Sequence, residues 1–241
     1  MTNQARIDEL KIFFQDTLNN LAAIDSQRIQ ASMSLFQSKT PDDVANSCID
    51  LQDLDETSQE RLEQLKTILL DFQILIQKED VSDSDYKNVQ KETVGLLGLL
   101  IKTINKILKA RKQEKSALEN LVKYLNRLES KKPFVAFMYK RNFNKIKNSI
   151  HDEIKAFREF YLLNKRSNDL KRSYKKLKKE GRWKVVSNVV KRGVAIPLFF
   201  LPAGMACIIA SNKFIDYVNT LTPGYKELES ILNSAPPLLQ N

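Results

Sequence analysis

The chain has 241 residues, enough for a substantial buried core, and only 6 glycines and 7 prolines interrupt it. This composition favours long helices and argues against a β fold with many turns. The formal net charge is +10, but residues 1–90 carry only 8 of the 39 basic side chains and 17 of the 29 acidic ones. The rest of the chain is therefore strongly basic, and its surplus charge must face water or an anionic partner.

Four long helices are predicted from apolar residues that recur at three- and four-residue steps. Thr40 is suited to cap the second helix, because Pro41 fits a first helical position and two aspartates follow it. Pro133 fits the start of the fourth helix in the same way. The predicted ranges are about 4–38, 41–78, 85–130 and 133–179.

The predicted fold class is all-α, an elongated bundle of about four long antiparallel helices, with coiled-coil-like packing and a C-terminal apolar helical or hairpin segment. Strand-like alternation between turns does not occur in the sequence. Gly181 is expected to break the fourth helix. We therefore expect two parts, a bundle at residues 1–180 and a basic and apolar membrane-interacting segment at residues 181–241.

A basic stretch runs from Lys165 to Arg192. It contains twelve lysines and arginines, and its only acidic residues are Asp169 and Glu180. Lysine and arginine near anionic lipid contribute about 1 kcal/mol each, and tryptophan prefers the headgroup level. Basic runs on helices are commonly just solvated, but this one directly precedes an apolar segment. The predicted docking residues are Lys171, Arg172, Lys175, Lys176, Lys178, Lys179, Arg182, Trp183, Lys184, Lys191 and Arg192.

The apolar segment spans residues 193–210 without a charged residue. A spanning helix needs about 20 residues, and Pro197 and Pro202 disfavour a straight helix. A bent helix, a re-entrant hairpin and a wedge in one leaflet remain open. The residues predicted to insert are Val194, Ile196, Pro197, Leu198, Phe199, Phe200, Leu201, Pro202, Met205, Ile208 and Ile209.

Two other readings of the apolar segment stay open: a buried core helix of the bundle, or an interface with a partner protein. A bundle that shelters the segment, for instance against the apolar block Val94–Ile101, and releases it at a membrane would combine core and membrane roles. The block Val94–Ile101 by itself is expected to be an ordinary core helix.

Residue patterns for catalysis, cofactor binding and metal binding are absent from the sequence, so we expect no enzyme and no cofactor. The single histidine, His151, has no second histidine or cysteine at ligand spacing and is expected at the surface. The acidic stretch Asp50–Glu60 lacks the glycine and terminal glutamate of a calcium loop. Cys48 and Cys207 have neither metal nor redox spacing.

The leading functional hypothesis is a membrane-active helical protein that docks on anionic lipid and inserts its apolar segment. Long helices with one sheltered apolar element are similar in organisation to α-helical pore-forming toxins, although here that element lies near the C-terminus. This similarity implies a protein that converts from soluble to membrane-bound. Simple anchoring and membrane deformation remain open.

The alternative is a soluble helical scaffold or adaptor, and a third, less favoured hypothesis is non-specific nucleic-acid binding through residues 165–192. Expected partners are anionic lipid and either a second copy of the chain or a helical protein, without a small-molecule substrate. We expect membrane association without a secretory signal peptide, because the N-terminus lacks a basic and apolar leader.

Overall fold

The computed structural model describes residues 3–79, 84–128, 132–192 and 202–234, and every long element in these ranges is an α-helix. The helices are α1 (Asn3–Gln37), α2 (Pro41–Lys78), α3 (Ser84–Leu125), α4 (Pro133–Arg192) and α5 (Pro202–Ser234). No strand occurs within the described ranges. The prediction of an all-α helical bundle is therefore confirmed.

The predicted helix starts agree with the structure where the sequence carries a capping signal. The hydroxyl oxygen of Thr40 accepts a hydrogen bond from the backbone N–H of Asp43 at 3.2 Å, and α2 begins at Pro41. At the next break, the carbonyl of Lys132 accepts from the N–H of Val135 at 2.9 Å, and α4 begins at Pro133. Proline stabilises both starts, because its missing donor would have no helical partner there.

Two predicted helix ends are wrong. The helix α3 ends at Leu125 rather than near residue 130, because the N–H of Arg127 bonds the carbonyl of Tyr124 and tightens the last turn. The helix α4 does not break at Gly181 but continues to Arg192. One glycine costs a helix only about 1 kcal/mol, which flanking residues that favour helix can offset.

The chain divides into two compact units, and each helix contributes to both. Unit 1 comprises residues 1–16, 65–102 and 160–215, and unit 2 comprises residues 17–64, 103–159 and 216–241. Unit 1 therefore includes residues on both sides of the predicted boundary at residue 180.

Unit 1 has a buried apolar core in which Phe160 and Phe214 lie with ring centroids 4.4 Å apart. The block Val94–Ile101 contributes Leu96, Leu97 and Leu100 to this core, as expected for a core helix. Burial of such side chains is the main favourable term for folding of the unit.

In unit 2, α1 and α2 run antiparallel, since Asp25 lies against Ser58 and Arg28 lies against Asp55. The helices α3 and α4 are also antiparallel, because Lys106 contacts Glu159 and Arg111 contacts Glu153. The apolar core of unit 2 includes Phe157, whose ring lies 4.8 Å from that of Tyr225. Antiparallel long helices are the arrangement that the sequence predicted.

Candidate functional site

The basic stretch of α4 exposes one charged face. Arg172, Lys175, Lys176 and Lys179 are exposed and follow the three- and four-residue spacing of a single helix face. Lys178 is also exposed, and Lys171 is half-buried. The residues Arg182, Trp183, Lys184, Lys191 and Arg192 belong to α4, but their side chains lie outside the described part of the structure.

Acidic neighbours neutralise little of this face. Arg172 lies 3.5 Å from Asp169, and Lys176 lies 3.8 Å from Glu180, all of them largely solvent-exposed. Exposed ion pairs of this kind contribute about 0–1 kcal/mol and are screened by salt. The positive charge of the face therefore remains available to an anionic surface.

The opposite side of the same stretch is apolar. Leu170, Tyr174 and Leu177 are buried in unit 1 at the spacing of an inner helix face. The carbonyl of Leu177 accepts a hydrogen bond from the hydroxyl of Tyr86 at 3.2 Å. Up to residue 180, the basic stretch is thus an amphipathic helix held by its inner face, which directs Lys175, Lys176 and Lys179 outward.

The predicted insertion residues fall partly outside the described residues: Val194, Ile196, Pro197, Leu198, Phe199, Phe200 and Leu201 lie there. Pro202 begins α5, and the following residues are described. Ile208 is fully buried in unit 1, Met205 is half-buried, and Ile209 is 42 % exposed. At this end of the apolar segment, one side of α5 is therefore packed into the core of unit 1.

The N-terminus of α5 is bound by the end of α2. The carboxylate of Glu79 accepts a hydrogen bond at 3.1 Å from the backbone N–H of Ala203, one of the N–H groups that lack a helical partner. The side-chain amide of Gln90 holds the backbone of Glu79, donating to its carbonyl at 3.0 Å and to that of Ile76 at 2.6 Å. Three helices of unit 1 thus meet at the start of the apolar helix.

Tyr174 packs directly against the first turn of α5. A Cβ atom added at Gly204 would lie 1.9 Å from the hydroxyl oxygen of Tyr174, so only glycine permits this approach. The same hydroxyl lies 3.2 Å from the hydroxyl of Thr93 on α3. Gly204 therefore allows a close contact between α5 and the helix that carries the basic face.

Burial changes the titration of groups in this contact region. Burial raises the pKa of Glu79 to about 7, although the N–H of Ala203 partly opposes the change. Its second carboxyl oxygen is buried without a hydrogen-bond partner among the described residues. Burial likewise raises the pKa of the Cys207 thiol well above its ordinary value. Glu79 is therefore the titratable group poised near neutrality beside the apolar helix.

Within the described ranges, no helix is long and apolar enough to cross a bilayer.

A buried ionic cluster in unit 2 is a second feature, and our sequence analysis did not identify it. Arg28 from α1 contacts Asp55, Glu114 and Glu153, which come from α2, α3 and α4. Its nitrogen Nη1 lies 2.9 Å from Oε1 of Glu153. One side chain thereby ties four helices together.

Arg111 forms the second half of the ionic cluster. Its Nη2 donates to Oε1 of Glu153 at 2.8 Å and lies 3.1 Å from Oδ1 of Asp25. The helix α5 adds two hydroxyl donors: Tyr225 donates to Glu153 at 2.6 Å, and Tyr217 donates to Asp25. All five helices therefore contribute to the cluster within unit 2.

The ionic cluster has four carboxyl groups but two guanidinium groups, so full ionisation would leave a buried negative excess. Burial opposes ionisation of Glu153, but Arg111 and Arg28 outweigh it and lower the pKa of Glu153 to about 2. For Glu114, burial outweighs Arg28 and raises the pKa well above its usual range. Burial also raises the pKa of Asp55. Glu153 is thus the principal counter-ion, whereas burial favours the protonated form of Glu114 relative to a free carboxyl.

The sequence does contain a weak signal for this cluster. Asp25 and Arg28 stand four and seven residues after Leu21, on the apolar side of α1. Glu153 stands beside Ile154, and three residues after Ile150, on the buried side of α4. Charged residues on an otherwise apolar helix face, in four helices at once, indicate a buried network.

Among the described residues, no group of three or more histidine, cysteine, aspartate or glutamate side chains is arranged so that it could hold a metal ion. The ionic cluster is itself an unsuitable metal site, because guanidinium groups already contact its carboxylates. The sequence predicted His151 at the surface. In the structure its side chain is half-buried.

A comparison with known protein families, curated proteins and solved structures found no match.

Proposed function

We propose that the protein is a membrane-active helical-bundle protein that docks on anionic lipid through α4 and inserts the apolar segment at residues 194–209. The observation that carries the proposal is the exposed basic face of α4, with Arg172, Lys175, Lys176 and Lys179, on the helix that precedes that segment. Each such cation contributes about 1 kcal/mol at an anionic surface. Inward packing of Leu170, Tyr174 and Leu177 supports this, since it leaves the cations facing outward.

Insertion requires the start of α5 to leave the core of unit 1. Ala203, Ala206 and Ile208 are buried there, so release exposes apolar surface that only lipid or a partner protein would cover again. The capping contact between Glu79 and Ala203 must also open. Docking by the basic face holds the apolar segment close to the bilayer, and the acyl chains of the bilayer then provide the apolar environment for insertion.

The docking step is tested by co-sedimentation with neutral and anionic vesicles. The variant Lys175→Glu/Lys176→Glu/Lys179→Glu is expected to lose roughly a hundredfold in apparent affinity for phosphatidylserine-containing vesicles. The matched control is Lys102→Glu/Lys109→Glu/Lys112→Glu, which reverses three exposed lysines of α3. If both variants lose equally, net charge alone governs binding and the basic face has no special role.

The insertion step is tested with Phe199→Asp/Phe200→Asp, which places charge in the apolar segment. This variant is expected to bind anionic vesicles more weakly and to resist extraction by salt less than the natural chain. Equal binding would restrict the protein to electrostatic docking. Release of a trapped dye from the same vesicles separates a pore former from an anchor.

A second candidate function, a soluble helical scaffold, is favoured by the packing of Ala203–Ala210 in the core of unit 1. It requires that the natural chain stay in the supernatant with both vesicle types and form a stable oligomer without detergent. Retention on nucleic acid that falls steeply with salt would instead support binding of that polymer.

A further inference from the structure

The first turns of α4 expose two aromatic side chains. Phe134 is 65 % exposed and Phe137 is 61 % exposed, and their three-residue spacing places them on one helix face. Val135, which lies between them in sequence, and Tyr139, which follows them, are buried in unit 2. Large apolar side chains that stand together in water are a feature of contact surfaces.

The backbone at this position is a formed helix rather than a loop. The carbonyl of Lys132 accepts hydrogen bonds from the N–H groups of Val135 at 2.9 Å and Ala136 at 3.3 Å. Behind the exposed face, the ring of Tyr139 stacks on that of Phe143 with centroids 6.3 Å apart. The two exposed phenylalanines are therefore presented in a set orientation.

The charges that α4 itself carries beside these rings have one sign. Lys132, Lys140, Arg141 and Lys145 are exposed, and the sequence has no acidic residue from Lys131 to His151. An apolar pair bordered by basic residues is the composition that favours the boundary between headgroups and acyl chains of an anionic bilayer. An acidic protein surface would match the charge but would not require two adjacent exposed rings.

A comparison within the chain shows why charge matters. Ile12 and Phe13 of α1 form another exposed pair, at 63 % and 53 %. Asp8 and Glu9 beside this pair are neutralised by Lys11 at 2.8 Å and by Arg6 at 2.9 Å, and Asp16 is also acidic. The α1 pair therefore lacks the uniformly basic border of the α4 pair and is a control for exposed apolar side chains alone.

We propose that the N-terminal face of α4, formed by Lys132, Phe134, Phe137, Lys140 and Arg141, is a separate contact surface for anionic lipid. The phenyl rings enter the headgroup boundary, and the cations pair with lipid phosphates and carboxylates. This surface lies in unit 2 and does not depend on insertion of residues 194–209. It gives the protein a lipid contact beyond the basic stretch of the proposed function.

Fluorescence tests the surface directly. In a Trp183→Phe background, which removes the single tryptophan, Phe137→Trp places a reporter on the proposed face. Mixed phosphatidylcholine and phosphatidylserine vesicles are expected to shift its emission to shorter wavelength, and brominated lipid is expected to quench it. Phe13→Trp in the same background is expected to show neither effect. An unchanged Phe137→Trp emission on vesicles that sediment the protein would overturn the proposal.

Binding measurements provide the second readout. Phe134→Ser/Phe137→Ser is expected to weaken vesicle binding by roughly tenfold, because partial burial of two phenyl rings is lost. Ile12→Ser/Phe13→Ser is expected to leave binding unchanged. Circular dichroism checks that both variants remain helical. Equal binding by the natural chain and Phe134→Ser/Phe137→Ser would contradict the proposal.

Two further outcomes separate this inference from its competitors. If the Phe137→Trp shift persists in Phe199→Asp/Phe200→Asp, the surface contacts lipid even where insertion fails. A shift that requires residues 199 and 200 to be intact would show that the face has no lipid contact of its own. If sedimentation shows a dimer that Phe134→Ser/Phe137→Ser converts to a monomer with unchanged vesicle binding, the face binds a second copy instead.

Discussion

The carboxylate of Glu79 accepts a hydrogen bond at 3.1 Å from the backbone N–H of Ala203, which joins the end of α2 to the start of α5. A carboxylate at a helix N-terminus is stabilised by the helix dipole, but this one is also half-buried. Burial is the stronger influence and raises its pKa to about 7. The groups that face it are the phenol of Tyr174 and the thiol of Cys207, both uncharged at neutral pH. The carboxyl of Glu79 therefore gains or loses its proton near neutral pH.

Glu79→Gln is expected to stabilise the packing of α5 above pH about 7. The folded-state pKa is raised from 4.5, so folding favours the protonated carboxyl, and its stabilisation is lost as pH rises from about 4.5 to about 7. The amide in Glu79→Gln does not ionise, so the variant keeps this stability. We expect a gain of about 1–2 kcal/mol over the natural chain above pH about 7, after allowance for solvent screening at a half-exposed side chain. Amide hydrogen exchange at residues 203–210, followed against pH, measures the effect.

The control for this prediction is Glu60→Gln, which changes an exposed carboxyl on α2, the helix that Glu79 directly follows. It is expected to leave exchange at residues 203–210 unaltered at every pH. Exchange in the natural chain should rise with pH faster than in Glu79→Gln between the two pKa values. Parallel pH profiles for the natural chain and Glu79→Gln would show that this carboxyl does not control the contact.

Gly204→Ala and Gly98→Ala are expected to act in opposite directions. A Cβ atom at residue 204 would overlap the hydroxyl and ring of Tyr174, whereas one at residue 98 meets nothing within 4 Å. Overpacking at residue 204 should cost about 1–3 kcal/mol in the stability of unit 1. Alanine at residue 98 should stabilise α3 by about 0.5–1 kcal/mol, because it lowers the entropy of the unfolded chain. Urea unfolding measures both, and a stabilised Gly204→Ala would contradict the close approach.

Replacing a buried glutamate of unit 2 by glutamine is expected to change the free energy of unfolding by very different amounts at Glu153 and Glu114. Glu153→Gln leaves Arg28 and Arg111 without their shared counter-ion, which should cost about 3–5 kcal/mol in the free energy of unfolding. Glu114→Gln should cost less than Glu153→Gln, because burial raises the pKa of Glu114 whereas the two guanidinium groups lower that of Glu153. Chemical denaturation at neutral pH, with Glu119→Gln as an exposed control, provides the comparison.

The pH dependence of this cluster follows from the lowered pKa of Glu153. Its ionised form contributes stability above pH about 4.5, and that contribution is lost as pH falls towards about 2. Glu153→Gln should therefore have a flatter acid-unfolding profile than the natural chain. Equal losses of stability for Glu153→Gln and Glu114→Gln would contradict the opposite pKa shifts of the two carboxyl groups.

Thiol labelling of the two cysteines tests whether α5 opens at a membrane, as the proposed function requires. Cys207 in unit 1 and Cys48 in unit 2 are both completely buried, and burial raises the pKa of each thiol, that of Cys48 to about 12. Neither should react with a thiol reagent in the folded protein. Anionic vesicles are expected to raise the labelling rate of Cys207 by roughly tenfold or more, through local opening of α5, and to leave Cys48 protected.

Single-cysteine variants Cys48→Ser and Cys207→Ser separate the two labelling rates. In the Phe199→Asp/Phe200→Asp background, vesicles should no longer increase labelling of Cys207. Labelling of Cys48 at the same rate as Cys207 would indicate general unfolding rather than release of the apolar helix. No labelling of either would show that α5 stays packed in unit 1.

The local features of this chain followed from its sequence. Apolar periodicity predicted the helices, and proline with its capping residue located the starts of α2 and α4, because these signals act within one or two turns. The core role of Val94–Ile101 was likewise expected from its apolar sequence.

Only the tertiary structure decided which distant residues meet. Asp25 and Tyr217, or Glu79 and Ala203, are separated by more than a hundred positions, and no local pattern relates them. The continuation of α4 through Gly181 also depended on context, since a single glycine is a small local cost. Periodicity indicates which side of each helix is buried, but it does not indicate which other helix that side packs against. That choice is made when the helices pack together and each buried charge must find its partner.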